Sequence, residues 1–363
     1  MYELLSALMK HKKNKVQHIL SLSLLFFTLS CYSQPSKNDQ IIELKQHIGT
    51  DQYPNIDAII VAQNNKIIIE EYFNGFNKNK PHETRSSFKS ITSLLAGIAI
   101  EQGFFKVEDE IGQFITEWAN DSRGKIKVKD LLEMRSGLAC EGFFDKGPDC
   151  ESEMYETDDW LDYILNIPLR HEPGTKWEYS SMEPDLIGII ISRTSGQTLM
   201  DFADKYLFEP IGIDKCQWEI TPDGRGYAAG SSYMKPLDML KIAILVANKG
   251  IWKGKPVISS DWIKESTNCE IEVGMSFLYW SGIKNAITTS AKYGYFWYRE
   301  VLQYKEIQTE VLFASGNGGQ YMMVLEDYNA VITFTGSNYG NWKGKLPFDI
   351  VLKYLIPILK NQD

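Results

Sequence analysis

The chain has 363 residues, of which 44% are hydrophobic and 23% are charged. This is ordinary globular composition, so long disordered regions are not expected, and the length is sufficient for one large core. The formal net charge of -9 argues against binding to a nucleic-acid backbone, because an acidic protein and phosphates repel each other.

The start of the chain has the pattern of an export signal. Basic residues over 10–15 precede an apolar run over 19–29, and small and polar residues follow it. The run is too short to span a bilayer, and the order of basic, apolar and small segments is typical of a signal peptide. We predict an export signal over residues 1–33, a polar linker over residues 34–44, and a periplasmic or secreted protein.

A lipid anchor is an alternative to simple cleavage of this signal. Lipidation of Cys31 would attach the protein to a membrane, although Thr28 stands where a lipobox prefers leucine. Export would place the other four cysteines in an oxidising compartment, where Cys140 and Cys150 could form a disulfide across a short loop. Four buried thiols are the alternative, and no Cys-x-x-Cys motif supports a metal or redox site.

The predicted elements place strands at both ends of the chain and helices between them. β-Branched runs over 56–61 and 66–72 flank Asn64-Asn65 and predict a hairpin, and apolar periodicity predicts a helix from residue 86 to about 102. Further helices are predicted over 128–134, 158–165, 185–194, 199–207 and 237–248, strands over 294–299, 320–325 and 330–335, and a final helix over 348–359. This order predicts an α/β protein of the α+β type over residues 45–363: a mixed antiparallel sheet flanked by helices, with an inserted all-helical region.

Histidine-based chemistry is disfavoured by the sequence. No pair of histidines has the spacing of a metal site such as H-E-x-x-H, and no G-x-S-x-G motif occurs. A Ser-His-Asp triad is not formally excluded, but His82 and His171 are both interpreted as loop residues. A hydrolase would therefore use another base.

A lysine can replace histidine when it is held close to a serine and shielded from water. Ser-x-x-Lys on a helix gives this proximity, because positions i and i+3 share a face. The motif occurs four times, beginning at Ser86, Ser122, Ser232 and Ser281. Only Ser86, paired with Lys89, opens a long amphipathic helix, so we predict Ser86 as the nucleophile, although an N-cap serine followed by a surface lysine is the alternative.

Two further segments could complete a catalytic site. Tyr179 follows a Pro-Gly turn and precedes a helix, and a tyrosine beside a lysine ammonium can relay a proton. A tyrosine that only packs in the core is the alternative. The Gly-rich segment Asn317-Gly318-Gly319-Gln320 comes directly before a predicted strand, where backbone N–H groups could bind a substrate or an oxyanion. A simple loop is the alternative for this segment.

In their order along the chain, these segments resemble the serine β-lactamase/penicillin-binding-protein superfamily, nearest to class C enzymes and esterases. The Tyr179-Ser180-Ser181 and Gly318-Gly319-Gln320 segments are similar to the branch that contains nylon-oligomer hydrolases. The resemblance covers residues 45–360 and is carried by Ser86-Ser87-Phe88-Lys89, Lys127-Val128-Lys129-Asp130-Leu131-Leu132, Ser136-Gly137-Leu138, residues 173–181, 207–213 and 226–234, and Tyr293-Gly294-Tyr295.

The resemblance implies a β-lactamase/transpeptidase-like fold and an acyl-enzyme on Ser86, with Lys89 and Tyr179 moving protons and no cofactor or metal. It also implies an oxyanion hole formed by the N–H groups of Ser86 and Gln320. Two positions depart from the family pattern. Ser181 stands where asparagine is usual, and Asn317, with Gly318 and Gly319, stands where Lys-Thr/Ser-Gly is usual. The loss of a lysine that meets a substrate carboxylate would weaken β-lactam recognition.

The leading hypothesis is an exported serine hydrolase that cleaves an ester or amide bond of a small molecule or short peptide. A β-lactamase or a D-Ala-D-Ala carboxypeptidase is the alternative with the same fold. A non-catalytic peptide-binding domain is the alternative from another class. The presence of Ser86, Lys89 and Tyr179 together disfavours it, because a binding domain does not need all three.

Overall fold

The computed structural model describes residues 36–140 and 150–360. Contacts divide the chain into residues 1–40 and residues 41–363. The predicted export signal lies outside the described residues. The segment predicted as a linker includes part of a helix, α1 (Lys37–His47). The sequence of this helix is polar, and most of its residues face solvent. The Ser36 hydroxyl caps this helix by accepting a hydrogen bond from the Asp39 N–H at 3.2 Å.

The main architectural element is an eight-stranded sheet in which neighbouring strands run antiparallel. All strands of the described residues, in chain order and including those outside this sheet, are β1 (Ile56–Gln63), β2 (Lys66–Tyr72), β3 (His82–Glu83), β4 (Tyr233–Met234), β5 (Ile251–Trp252), β6 (Lys255–Pro256), β7 (Ile271–Glu272), β8 (Lys292–Tyr293), β9 (Tyr298–Tyr304), β10 (Ile307–Gly316), β11 (Gln320–Leu325) and β12 (Ala330–Gly336). The large sheet has the order β2-β1-β12-β11-β10-β9-β8-β7, and β3-β4 and β5-β6 form two small ribbons.

Most of the helices lie between β2 and β7. They are α2 (Phe88–Glu101), α3 (Val128–Leu132), α4 (Cys150–Tyr155), α5 (Trp160–Leu165), α6 (Met182–Ser195), α7 (Leu199–Ala203), α8 (Pro236–Ala247), α9 (Ser260–Ser266) and α10 (Phe277–Trp280), and α11 (Leu346–Ile350) and α12 (Ile356–Lys360) follow the last strand. The predicted fold class, a sheet flanked by helices with a helical region inserted between its strands, is confirmed.

The β1-β2 hairpin forms where it was predicted. Asn64 and Asn65 at its turn both have positive φ, 51° and 62°. Asparagine tolerates this left-handed conformation better than most residues, and two such residues give the turn the twist that a hairpin needs. The hairpin therefore follows from local sequence chemistry.

The sheet is buried on both faces along its centre. Every residue of β1, β11 and β12 is buried. Helix α8 packs against β11 and β12, while Phe348 of α11 packs edge-on against Phe313 and Tyr321, with ring centroids 5.1 and 5.3 Å apart. Within the described part of the chain, no helix is both long and apolar enough to cross a membrane.

The strand predicted over 294–299 is wrong in position. Residues between β8 and β9 form a turn instead, in which the Gly294 N–H donates to the Trp297 carbonyl at 2.9 Å. Phe296 has a φ of 63°, which is incompatible with a strand. Strand β10 was not predicted, because its apolar stretch is short and polar residues such as Gln308 and Glu310 occupy its first half.

A disulfide joins Cys140 and Cys150, which was one of the two alternatives, whereas Cys216 and Cys269 are free thiols. Cys269 is buried, and burial raises the pKa of its thiol to about 12. The alternative of four unpaired thiols is therefore not what the structure contains.

Glu300 is a buried carboxylate in β9 that should make stability depend on pH. It accepts hydrogen bonds from the Phe277 and Leu278 N–H groups at 2.9 and 3.1 Å, and burial raises its pKa from 4.5 to about 7. The folded state therefore binds a proton more tightly than the unfolded state, so this residue's contribution to the free energy of unfolding should decrease as pH rises from 4.5 to 7. At about 1.4 kcal/mol per pKa unit, the decrease is roughly 2–4 kcal/mol.

Urea unfolding of the wild type and of Glu300→Gln would test this expectation. Glutamine has no charge, so the stability of the wild type relative to the variant should be greater at pH 5 than at pH 8. A difference between the two proteins that did not change with pH would show that Glu300 is not shifted in this way.

Candidate active site

Ser86 lies in a single 3-10 turn, Arg85–Ser87, that leads directly into α2. The predicted helix start at Ser86 is thus correct to within this turn. Ser86 is half-buried, so its hydroxyl can be reached from solvent. The N–H groups of a first turn have no intrahelical acceptor, which leaves the Ser86 N–H available for an oxyanion.

Lys89 is buried directly behind Ser86. Only 2% of Lys89 is exposed, and its Nζ donates to Ser86 Oγ at 3.0 Å and to the Ala229 carbonyl at 2.7 Å. The second bond holds the amine against the serine. The pair is therefore a preorganised hydroxyl and amine in a site that largely excludes water.

The other three Ser-x-x-Lys segments lack this arrangement: no Ser–Lys hydrogen bond joins any of them in the part of the chain that the structure describes. Ser232 is completely buried and its hydroxyl accepts from the Glu219 N–H, while the Ser281 hydroxyl donates to the Leu278 carbonyl at 2.7 Å. Ser122 lies in a short 3-10 helix, Ser122–Lys125. Only the Ser86–Lys89 pair combines proximity with access to substrate.

Tyr179 lies in the loop before α6. It is half-buried, and the Lys89 Nζ is 5.2 Å from the centroid of its ring. The preceding residue, Glu178, anchors this loop through ion pairs with Lys176 at 2.6 Å and Arg170 at 2.9 Å. Burial alone would raise the pKa of Glu178, but these two cations hold it below its usual range. The structure therefore brings Tyr179 next to Lys89.

Two polar residues at the start of α6 are buried. Ser181, the N-cap residue of this helix, is 4% exposed. Glu183 is buried and accepts a hydrogen bond from the Ser136 hydroxyl at 2.6 Å. Burial raises the pKa of Glu183, and the Ser136 bond and the neighbouring Lys89 side chain oppose that shift. Glu183 was not predicted from the sequence, where it is one of two acidic residues in the first turn of a largely apolar helix.

Residues 228–232 pack against the turn that carries Ser86. The Thr84 N–H donates to the Ser232 carbonyl at 2.8 Å. A Cβ added to Gly230 would lie 3.0 Å from the carbonyl carbon and oxygen of Arg85. Glycine at 230 is therefore required for the close approach of the two backbones, and this segment helps to fix the position of Ser86.

The end of β10 also approaches the nucleophile turn. A Cβ on Gly316 would lie 2.5 Å from the Thr84 carbonyl oxygen, and the neighbouring Ser315 is half-buried. Residues 317–319 form the turn between β10 and β11, directly before a strand as predicted. The residue of this region that closely approaches the nucleophile turn is Gly316.

Gln320 was predicted to offer its backbone N–H to an oxyanion, and its side chain is engaged within the sheet. It is completely buried, its Nε2 donates to the Asn317 carbonyl at 3.1 Å and to the Gly336 carbonyl, and its Oε1 accepts from the Gly336 N–H at 3.2 Å. The side chain therefore joins β11 to β12, and the role of the backbone N–H stays a prediction.

His82 is not a loop residue but lies buried in β3, so that part of the prediction is wrong. Its Nε2 is 2.8 Å from the Asp57 carboxylate, which also accepts a hydrogen bond from the Ser337 hydroxyl. Ser337 therefore bonds to the aspartate and not to the imidazole, which is not the order of a Ser-His-Asp triad. His171 lies in an irregular segment, as predicted, with its Nε2 3.4 Å from Glu178.

No group of three or more His, Cys, Asp or Glu side chains in residues 36–140 and 150–360 is arranged to hold a metal ion. The side chains around Ser86 are instead an amine, a phenol, hydroxyls and a carboxyl. This set of groups can transfer protons and stabilise a tetrahedral oxyanion.

Comparison with known proteins gives a consistent family match. A family model described as Beta-lactamase matches residues 54–352. The chain is 22% identical over 220 residues to a 6-aminohexanoate-dimer hydrolase from Paenarthrobacter ureafaciens, covering 57% of this chain and 56% of that protein. The chain spans about half the length of the curated relatives it matches.

Solved structures of low sequence identity share the fold. A penicillin-binding protein from Bacillus halodurans superposes with a TM-score of 0.64 at 12% identity, covering 83% of this chain and 98% of the other. A class C β-lactamase mutant superposes with a TM-score of 0.61 at 15% identity, covering 86% of this chain and 95% of the other. The predicted resemblance is confirmed by these matches.

Proposed function

The chain belongs to the beta-lactamase family of serine hydrolases, and we propose that it cleaves an ester or amide bond through an acyl-enzyme on Ser86. The observation that supports this proposal most directly is the 3.0 Å contact between Lys89 Nζ and Ser86 Oγ. An amine buried next to a solvent-accessible hydroxyl is the arrangement that nucleophilic catalysis needs.

In the acylation step, Ser86 Oγ attacks the substrate carbonyl carbon as its proton passes to the unprotonated Lys89 amine. The carbonyl oxygen becomes an oxyanion that accepts a hydrogen bond from the Ser86 N–H. When the tetrahedral intermediate collapses, the bond to the leaving group breaks. The leaving group takes a proton from the Tyr179 hydroxyl, which regains one from Lys89. The product is an ester of Ser86.

In the deacylation step, the same proton carriers act in reverse. A water molecule attacks the acyl carbonyl carbon and gives a proton to the Tyr179 hydroxyl, which passes its own proton to the Lys89 amine. The Ser86 oxygen takes that proton from Lys89 as the acyl bond breaks. The Ala229 carbonyl and the buried surroundings keep the Lys89 amine in place through both steps. No cofactor is needed for this cycle.

A substrate panel tests the proposal and separates it from its alternatives. We expect the purified protein to hydrolyse short-chain p-nitrophenyl esters, with activity lost in Ser86→Ala and retained in Ser122→Ala, which alters a second Ser-x-x-Lys segment. Higher kcat/KM on nitrocefin or on a D-Ala-D-Ala peptide would favour a β-lactamase or a carboxypeptidase. Binding of these compounds without turnover would favour a non-catalytic domain.

We also propose that the protein is exported and acts in the periplasm or outside the cell. The basic and apolar pattern of residues 1–33 and the Cys140–Cys150 disulfide support this location, because disulfides persist in oxidising compartments. The mature protein should begin near Cys31 or Gln34, and palmitate labelling lost in Cys31→Ser would identify the lipid-anchored form. Recovery of an unprocessed protein from the cytoplasm would contradict export.

A further inference from the structure

The residue before the nucleophile is an arginine whose charged group is accessible. The Arg85 side chain is 38% exposed, its Nε lies 2.7 Å from the Glu83 carboxylate, and its guanidinium carbon is 5.0 Å from the centroid of the Tyr339 ring. An ion pair on one side and an aromatic face on the other hold a guanidinium in one orientation. Arg85 is thus a positioned cation one residue away from Ser86.

Through its contact with the Tyr339 ring, Arg85 lies near the turn over residues 317–319, where the sequence departs from the family pattern. The ring packs against Gly318, where an added Cβ would lie 2.7 Å from two ring atoms. Asn317 is tied to the same region, since its side-chain oxygen accepts a hydrogen bond from the Gly340 N–H at 2.9 Å. A positive charge therefore reaches the Asn317–Gly319 turn from the nucleophile side, although the turn itself contains no lysine.

The outer face of the guanidinium is available to a ligand. Neither terminal nitrogen of Arg85 forms a hydrogen bond with the described residues. Arg225, another cation that could have met a substrate, is instead engaged by Asp185 and Asp223 at 3.2 and 2.5 Å. Lys89 is buried and bonded to Ser86. Arg85 is thus the better placed of these cations to meet a charged group of the substrate.

From this arrangement we propose that Arg85 binds a carboxylate of the substrate, so that the enzyme prefers negatively charged esters or amides to neutral ones. The terminal nitrogens of a guanidinium can donate two parallel hydrogen bonds to a carboxylate, which gives orientation as well as attraction. This inference rests on the proposed acyl-enzyme chemistry. It replaces the expectation, drawn from Asn317 alone, that the site lacks a cation for a carboxylate.

The test compares two esters with their uncharged methyl-ester counterparts. One, mono-p-nitrophenyl glutarate, carries a carboxylate on the acyl side, and the other, para-acetoxybenzoate, carries it on the leaving group. In the wild type we expect kcat/KM to favour the charged member of at least one pair. Arg85→Gln should reduce that charged-to-neutral ratio by about tenfold, the size of one charge-assisted hydrogen bond.

Controls separate charge recognition from general damage to the site. Arg193→Gln removes an arginine that pairs with Glu117 and should leave the ratio unchanged, while Arg85→Lys should retain part of the preference. Higher salt should reduce the charged-to-neutral ratio of the wild type, and this measurement needs no variant. The proposal is overturned if the wild type shows no charged preference or if Arg85→Gln leaves the ratio unchanged. Failure of the wild type to hydrolyse any of the four esters would instead refute the proposed function.

Discussion

Replacing Lys89 with alanine should lower kcat by about two to four orders of magnitude, the usual contribution of a general acid or base. The Lys89 amine is 3.0 Å from Ser86 Oγ and is held there by the Ala229 carbonyl. No other amine is bonded to Ser86 among the described residues, so the proton that leaves the serine would have no equivalent acceptor. The effect should be on the chemical step and should appear in kcat as well as in kcat/KM.

Two further variants make this experiment specific. Lys89→Met keeps most of the side-chain volume, so similar losses in Lys89→Met and Lys89→Ala would indicate that the amine matters and not the cavity. Lys125→Ala alters the lysine of another Ser-x-x-Lys segment and should retain wild-type activity. If Lys89→Met kept near wild-type kcat while remaining folded by circular dichroism, Lys89 would not be the proton carrier.

Replacing Tyr179 with phenylalanine should also lower kcat, by about two to four orders of magnitude. The substitution removes only the hydroxyl, so the ring can still pack 5.2 Å from the Lys89 amine and beside Trp177. Activity should fall while the melting temperature changes little. Rates on p-nitrophenyl esters and thermal unfolding of the same preparations would measure both.

Tyr279→Phe is the matched control, because Tyr279 is 65% exposed and lies in α10. It should behave as the wild type. Tyr339 stands in the sequence Tyr339-Gly340-Asn341, and the structure places it beside Arg85. Loss of activity in Tyr339→Phe together with full activity in Tyr179→Phe would show that the wrong tyrosine had been chosen.

Features that depend on neighbouring residues could be predicted from the sequence. The β1-β2 turn follows from two asparagines that tolerate positive φ, and the Ser86–Lys89 pair follows from the spacing of one helical turn. The overall fold class could be predicted because strands at the two ends of the chain and helices between them leave few ways of building one core.

Features that depend on distant residues could not be predicted in this way. Ala229 lies 140 residues from Lys89, and its contribution is a backbone carbonyl that any residue could supply. Gly230 and Gly316 are identified only when the chain that approaches them is known. Glu183 and Arg85 were missed for a similar reason: their roles depend on what surrounds them, namely a buried amine for Glu183 and the Tyr339 ring for Arg85.

Covalent labelling of the nucleophile tests the central claim most directly. The wild-type protein, incubated with a fluorophosphonate probe and digested, should carry one adduct, and tandem mass spectrometry should place it on Ser86. Ser86→Ala should remain unlabelled, while Ser122→Ala should label as the wild type does. An adduct on Ser122, Ser232 or Ser281, or no labelling of an active preparation, would contradict an acyl-enzyme mechanism on Ser86.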